Sequence, residues 1–239
     1  MLKTKIAVLA ATGLMASCVG AENTAETNIR KNIEPRLGGA KIDSITETPY
    51  GGLYELRVGG DILYADKKGD YLFIGQVFEA KTSRNITKAR IDDLNKIKFS
   101  DLPLASALKQ VKGNGKRVIA VFEDPNCGYC KRLRQTTLKE IDNVTIYTFM
   151  YNILSEDSFT KSKNIWCAPN RVKAWDDWML DNKVPPTAPA NCESPNQKIA
   201  ELGQKLKIQG TPAIFFTDGT RIPGAVDLAG LEAKLGSIK

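Results

Sequence analysis

The sequence predicts an α/β protein in two parts: a small α+β piece, then a larger domain in which strands and helices alternate. Three observations carry that expectation. Short strand-like runs separated by glycine-containing turns cluster before residue 80. The continuous apolar run R-V-I-A-V-F at 117–122 is of the buried-strand type. Beyond it, helical spacing of apolar residues recurs between further strand-like runs. At 239 residues, 42% hydrophobic and 26% charged, the chain is long enough for one or two globular domains.

The elements follow in order. Residues 1–21 combine a basic start, a short apolar run and a small-residue end (V-G-A), the pattern of a secretory signal peptide cleaved after Ala21. Cys18, preceded by M-A-S, offers lipid anchoring as a minority alternative. N-T-A-E-T-N-I-R-K-N-I-E reads as a short helix. Three strand-like runs follow, Gly52–Val58, Asp61–Ala65 and Tyr71–Phe78, divided by G-G and D-K-K-G-D. A sheet this small, in a piece spanning 22–84 with no cysteine to staple it, has a marginal core and an edge in need of a partner. Dimerisation through this piece is therefore expected.

Asn85 stands where a cap belongs for an amphipathic linker helix, carried by Ile86, Arg90, Ile91, Leu94 and Ile97, within a linker assigned to 85–105. L-P-L-A-S-A-L-K-Q-V, starting at Leu102, reads as a second helical patch. The larger domain, 106–239, then runs through the strand at 117–122 and the turn E-D-P-N. A helix follows with Leu133, Leu138 and Ile141, and after it a strand over 144–151. A long helical segment over 155–209 carries Trp166, Trp175 and Trp178. The hairpin of 213–217 and 221–225 and a terminal helix close the chain. Strand, helix, strand, helices, hairpin, helix is the order of a thioredoxin fold with a helical insertion.

Composition excludes several chemistries. There is no histidine, so Ser-His and Cys-His catalysis and His-ligated metals are ruled out. Without residues 1–21, which hold Lys3 and Lys5 and no acid, 32 basic residues face 27 acidic ones, a net charge of +5. The basic residues are scattered without interleaved aromatics, so no nucleic-acid partner is expected.

Four cysteines remain after the leader, Cys127, Cys130, Cys167 and Cys192, and they allow three disulfide connectivities. Cys127 and Cys130 form C-x-x-C at a strand-to-helix junction, where unpaired N–H groups and the helix dipole favour a thiolate. Such sites lower a cysteine pKa from about 8.5 into a range of roughly 3.5–7.5. Lys131 and Arg132 are expected to add positive charge. A thiolate at Cys127 is a nucleophile for a substrate disulfide, and Cys130 is placed to resolve the mixed disulfide. Zinc would need Cys167 and Cys192 as further ligands, and their spacing is not that of a zinc ribbon. No metal or cofactor is expected. A purely structural clip between Cys127 and Cys130 would remove little chain entropy. A Cys167–Cys192 bridge, by contrast, closes a loop worth roughly 3–4 kcal/mol, which makes this pair structural rather than catalytic. Glu123 and Asp124 lie beside the C-x-x-C pair, and the sequence assigns neither a role.

V-F-E-D-P-N-C-G-Y-C-K, I-W-C-A-P-N-R-V-K-A-W-D-D-W-M and G-T-P-A-I-F-F-T-D-G-T-R-I-P-G, with L-G-G-A-K-I-D-S-I and G-L-Y-E-L-R-V near the start, resemble the DsbC/DsbG family of periplasmic disulfide isomerases over essentially the whole chain. The resemblance implies a homodimer whose catalytic domains hang from an N-terminal platform through linker helices. It casts Cys127 as nucleophile, Cys130 as resolving thiol and Cys167–Cys192 as the structural bridge. Pro212 becomes a cis-proline and Thr211 its neighbour, where an extended substrate segment would bind beside Gly128 and Tyr129. The implied partners are misfolded disulfide-containing exported proteins and a membrane thiol reductase that keeps the site reduced. The N-terminal piece favours isomerase or reductase over oxidase. A DsbG-like reductase of sulfenylated cysteines and a holdase chaperone with secondary redox activity are the alternatives. The sequence departs from the family at Asn152, where proline is often found, and at Lys131, where histidine is frequent.

Overall fold

The computed structural model describes residues 24–238. The expected signal peptide, its cleavage after Ala21 and Cys18 lie outside the described residues. The chain divides into two compact units, one ending at Gly75 and the other running from Gln76.

In the first unit, α1 (Thr24–Ile33) is amphipathic and buries Ala25, Ile29 and Ile33. It covers a four-stranded antiparallel sheet, β1 (Ser44–Glu47), β2 (Tyr54–Val58), β3 (Asp61–Ala65) and β4 (Leu72–Phe73), joined in that order. Leu56, Tyr54 and Ala65 complete the small core with Ile42. Gly69 must be glycine. Its φ is +71°, and an added Cβ would approach the Ile29 backbone to 2.9 Å. The run expected as one strand over Tyr71–Phe78 is broken. Only Leu72–Phe73 pairs with β3, because Gly75 interrupts the run and the side chains around it face away from the core.

In the second unit, β5 (Phe78–Glu79) and β6 (Arg84–Asn85) form a two-stranded ladder leading into α2 (Ile86–Leu94). Asn85 caps that helix as expected, its side chain accepting from the Lys88 N–H at 2.9 Å. The patch at Leu102 is a correction. Instead of a helix it forms a 3₁₀ turn at Leu104–Ser106 and then a strand, β7 (Leu108–Lys112). Pro103 breaks the helical start, and Leu108 is buried while Lys109 and Val111 are exposed.

The central sheet has the order β11-β10-β8-β9-β7. β8 (Arg117–Glu123) and β9 (Val144–Met150) are parallel. The antiparallel neighbours are β7, β10 (Ala213–Phe216) and β11 (Arg221–Pro223). Period-two alternation sends β8 side chains to opposite faces. Ile119 and Val121 pack with Leu133, Ile141, Leu231 and Leu235, the side of α3 (Gly128–Leu133) and α7 (Leu228–Gly236). Ala120 and Phe122 pack with Phe149, Tyr151, Ile199 and Phe215 on the other side. Phe122 and Phe149 stack at 4.7 Å between centroids. The segment expected to be helical over 155–209 is three helices, α4 (Glu156–Trp166), α5 (Arg171–Asp181) and α6 (Asn196–Lys205). An irregular stretch containing Pro185, Pro186 and Pro189 separates the last two. This is the thioredoxin order with a helical insertion between β9 and β10.

Candidate active site

β8 ends at Glu123, and the turn Asp124–Asn126 delivers Cys127 to the N-cap of α3. Asp124 builds that turn. Its buried carboxylate accepts from the Asn126 N–H and the Ser158 hydroxyl on Oδ1, both at 2.8 Å. On Oδ2 it accepts from the N–H groups of Ile153 and Leu154, at 2.9 and 3.1 Å. Four donors on one buried carboxylate lock the cysteine loop to the loop after β9. From α5, Trp178 donates its indole N–H to the Pro125 carbonyl at 2.6 Å. Neither residue was assigned a role from sequence. The E-D-P-N turn marked Asp124 as a loop former, but its partners lie about thirty positions downstream.

Cys127 and Cys130 are both free thiols and both buried, Cys130 completely. The Cys130 backbone N–H donates to Cys127 Sγ at 3.2 Å. The Thr211 carbonyl lies 3.3 Å from the same sulfur. The Cys127 thiol is lowered to about 6, chiefly by a hydrogen bond from the Cys130 side chain. Burial works against that, and the Thr211 side chain and the backbone N–H groups of Cys130 and Tyr129 add to it. The helix N-terminus therefore acts through specific hydrogen bonds. The charge expected from Lys131 is directed elsewhere, which corrects the sequence reading. Its ammonium donates to Asn182 Oδ1 and lies 4.2 Å from the centroid of the Trp178 ring. Cys130 moves the other way. Burial, and then its hydrogen bond to Cys127, push its thiol well above the ordinary range.

Gly128 and Tyr129 form the exposed first turn, with Tyr129 69% accessible. The Thr211–Pro212 peptide is cis, and Pro212 is buried between the sulfurs and the strand β10. A groove of about 640 Å³ runs alongside, lined by Tyr129, Arg132, Thr136, Thr211, Pro212 and Val226. The structure thus gathers Cys127, Cys130, Gly128, Tyr129, Thr211 and Pro212 at one place.

Cys167 and Cys192 are bonded to each other, S–S 2.02 Å, tying the end of α4 to the segment before α6. That pair is consumed, so the four-thiolate zinc site is not formed. Asn152 is buried and accepts from the Ser162 hydroxyl at 2.6 Å, fastening its loop to α4.

The family model described as the disulfide bond isomerase protein N-terminal domain matches residues 20–88, and that of the thioredoxin-like domain matches 104–239. A probable thiol:disulfide interchange protein DsbC of Bordetella parapertussis is 46% identical over 207 residues, covering 87% of this chain and 73% of that protein. The thiol:disulfide interchange protein DsbC of Escherichia coli K12 is 29% identical over 192 residues, 78% of each chain. Among solved structures, a disulfide interchange protein from Neisseria gonorrhoeae superposes with a TM-score of 0.53 at 37% identity, over 56% of this chain and 96% of that one.

Proposed function

The chain belongs to the DsbC family of thiol:disulfide isomerases, and from that premise we propose that it rearranges incorrect disulfides through a Cys127 thiolate. The observation that carries this reading is the asymmetry of the pair: Cys127 lowered to about 6, Cys130 raised and enclosed. At neutral pH Cys127 is mostly thiolate, the form that attacks sulfur, while Cys130 keeps its proton. Attack on a substrate disulfide gives a mixed disulfide on Cys127 and releases a substrate thiolate. If that thiolate attacks another substrate disulfide, the chain re-pairs and Cys127 is regenerated, which is isomerisation. If Cys130 attacks Cys127 Sγ instead, the substrate leaves reduced and the enzyme oxidised. The substrate segment lies along Thr211 and the cis-proline in the manner of an added strand, with its flanking side chains in the groove beside Tyr129.

The chain works as a homodimer joined through its N-terminal unit. The accessible Tyr71, Phe73 and Ile74, at 69%, 47% and 80%, cluster at the β4 edge and support this. The functional parts are a leader at 1–21, a dimerisation domain at 22–84, a linker at 85–105 and a catalytic domain at 106–239. The chain acts in the periplasm on misfolded, exported proteins, and a membrane thiol reductase keeps Cys127 reduced. The Cys167–Cys192 bridge fits such an oxidising compartment. Among the described residues no helix is long and apolar enough to cross a membrane.

The test is reactivation of a scrambled multi-disulfide protein in glutathione buffer by wild type and by Cys127→Ser. Native pairing restored by wild type alone supports the proposal. Equal help from both proteins would make the thiols incidental and the proposal wrong.

A further inference from the structure

The groove beside the cis-proline carries a charge that the exchange chemistry leaves unused. Tyr129, Arg132 and Thr136 line one wall, and their three- and four-residue spacing puts them on one face of α3 and the turn that continues it. Val226 and Asp227 line the groove from the loop before α7. The two sides are fixed to each other. A π-helical turn, Arg134–Leu138, extends α3, and the Thr137 hydroxyl within it donates to the Val226 carbonyl at 2.7 Å. The Thr136 hydroxyl donates to the Arg132 carbonyl at 2.9 Å, so the backbone that carries Arg132 is held as well.

Arg132 supplies the positive charge of this groove. It is exposed, and its guanidinium makes no hydrogen bond, ion pair or ring contact among the described residues. Lys131 does not share the groove, being turned to Asn182 and the Trp178 ring. The acid of the groove, Asp227, is already engaged. Its Oδ1 accepts from the Gly230 N–H at 2.8 Å as the N-cap of α7, where the positive end of the helix offsets its charge. A second groove of about 360 Å³ shares Thr211, Pro212 and Gly224 with the first. Lys207 and Arg221 line it, and among the described residues no carboxylate does. Arg221 is held by the Leu206 carbonyl at 2.9 Å, while Lys207 is exposed. A segment lying along Thr211 therefore meets positive charge in both grooves.

We infer that Arg132 is a specificity-determining residue, favouring substrate segments with a carboxylate side chain two positions from the attacked cysteine. This deepens the disulfide-exchange reading above and rests on it. Length sets the position. Arg132 lies five residues beyond Cys127, about 7.5 Å along a helix axis. Two residues of an extended strand span about 6.6 Å and return the side chain to the same face. A Glu or Asp at that remove from the attacked cysteine reaches the guanidinium, whose fork matches a carboxylate. The pair is exposed, so its effect is modest, roughly threefold in rate. It acts on capture of the segment rather than on the sulfur chemistry, and it fades with salt.

The experiment uses full-length reduced protein and short peptides with one cysteine held as a mixed disulfide with thionitrobenzoate. The peptides bear Glu, Gln or Lys two positions before or after that cysteine. The Cys127 thiolate attacks the peptide sulfur and a Cys127–peptide disulfide forms. The bond to thionitrobenzoate breaks, its electron pair leaving with the coloured thiolate, whose absorbance gives the rate. Comparing peptides on one protein cancels any change in the reactivity of Cys127 itself. At one of the two positions wild type in low salt favours Glu over Gln about threefold, and Gln over Lys by a similar factor. About 1 M salt removes the preference. Arg132→Lys keeps the order, and Arg132→Glu inverts it. Lys139→Glu makes the same change of charge on an exposed residue outside the groove and leaves the order as in wild type. Equal rates for Glu and Lys peptides on wild type, an order unmoved by Arg132→Glu, or an order inverted as fully by Lys139→Glu would overturn the assignment. If Cys127→Ser releases thionitrobenzoate as fast as wild type, the exchange reading itself has failed.

Discussion

Replacing Cys130 with alanine shifts the titration of Cys127 upward by about one pH unit, because the largest cause of its low pKa is the hydrogen bond from the Cys130 side chain. A hydrogen bond to a charged group is worth about 1.5–3 kcal/mol, and about 1.4 kcal/mol corresponds to one pKa unit. Sulfur is a soft acceptor and the backbone N–H of residue 130 still donates, so the lower end applies. The midpoint then moves from about 6 to about 7. The rate consequence is not uniform. At about pH 5 the thiolate share drops roughly tenfold while its nucleophilicity gains roughly threefold, so alkylation slows about threefold. Above about pH 8 both proteins are thiolates and the variant reacts about threefold faster, with the curves crossing near neutrality. The assay is iodoacetamide alkylation of Cys127 against pH, read beside the ultraviolet thiolate band. Cys130→Ser, which keeps a hydroxyl donor, is the control and titrates near the wild-type midpoint. Superposed curves for the alanine and serine variants would refute the hydrogen-bond explanation.

Two further outcomes follow from other parts of the molecule. Removing the Cys167–Cys192 bridge by paired alanine substitutions frees a loop with a sequence separation of 25. It lowers the unfolding free energy by about 3.5 kcal/mol in urea titration, and a loss under about 1 kcal/mol would show that the insertion packs without it. If the proposed dimer forms through the β4 edge, charging that edge with Phe73→Lys and Ile74→Glu turns it into a monomer in sedimentation while leaving glutathione exchange at Cys127 intact, whereas a persisting dimer places the interface elsewhere.

Much of this was legible in the sequence because local signals and tertiary demands agreed. The buried strand at 117–122, the strand beginning at Val144, the Asn85 cap and the hairpin after Pro212 all stand where pattern put them. The helical reading from Leu102 failed because pairing with β9 outweighed the propensity of A-S-A-L. Tyr71–Phe78 failed because an apolar run does not reveal where its ladder stops. At the site, the C-x-x-C pair announced itself, but the residues that hold it did not. Asp124 and Trp178 act through partners roughly 30 and 50 positions away, and no local period encodes such contacts. Lys131 misled because its position beside the cysteines says nothing of direction; Asn182 and Trp178 claim the ammonium. The sequence assigns no role to Glu123 or Asp124, because their partners lie elsewhere in the chain: Asp124 takes the Ile153 and Leu154 N–H groups and the Ser158 hydroxyl, and Glu123 takes Arg134.

The central claim is that the Cys127 sulfur makes the first covalent bond to substrate. Incubating Cys130→Ser with a scrambled disulfide protein, quenching with acid and mapping the product under non-reducing conditions tests it directly. The account requires a stable mixed disulfide between Cys127 and a substrate cysteine, with Cys167 and Cys192 still joined to each other. No adduct, or an adduct on Cys167 or Cys192, would contradict it.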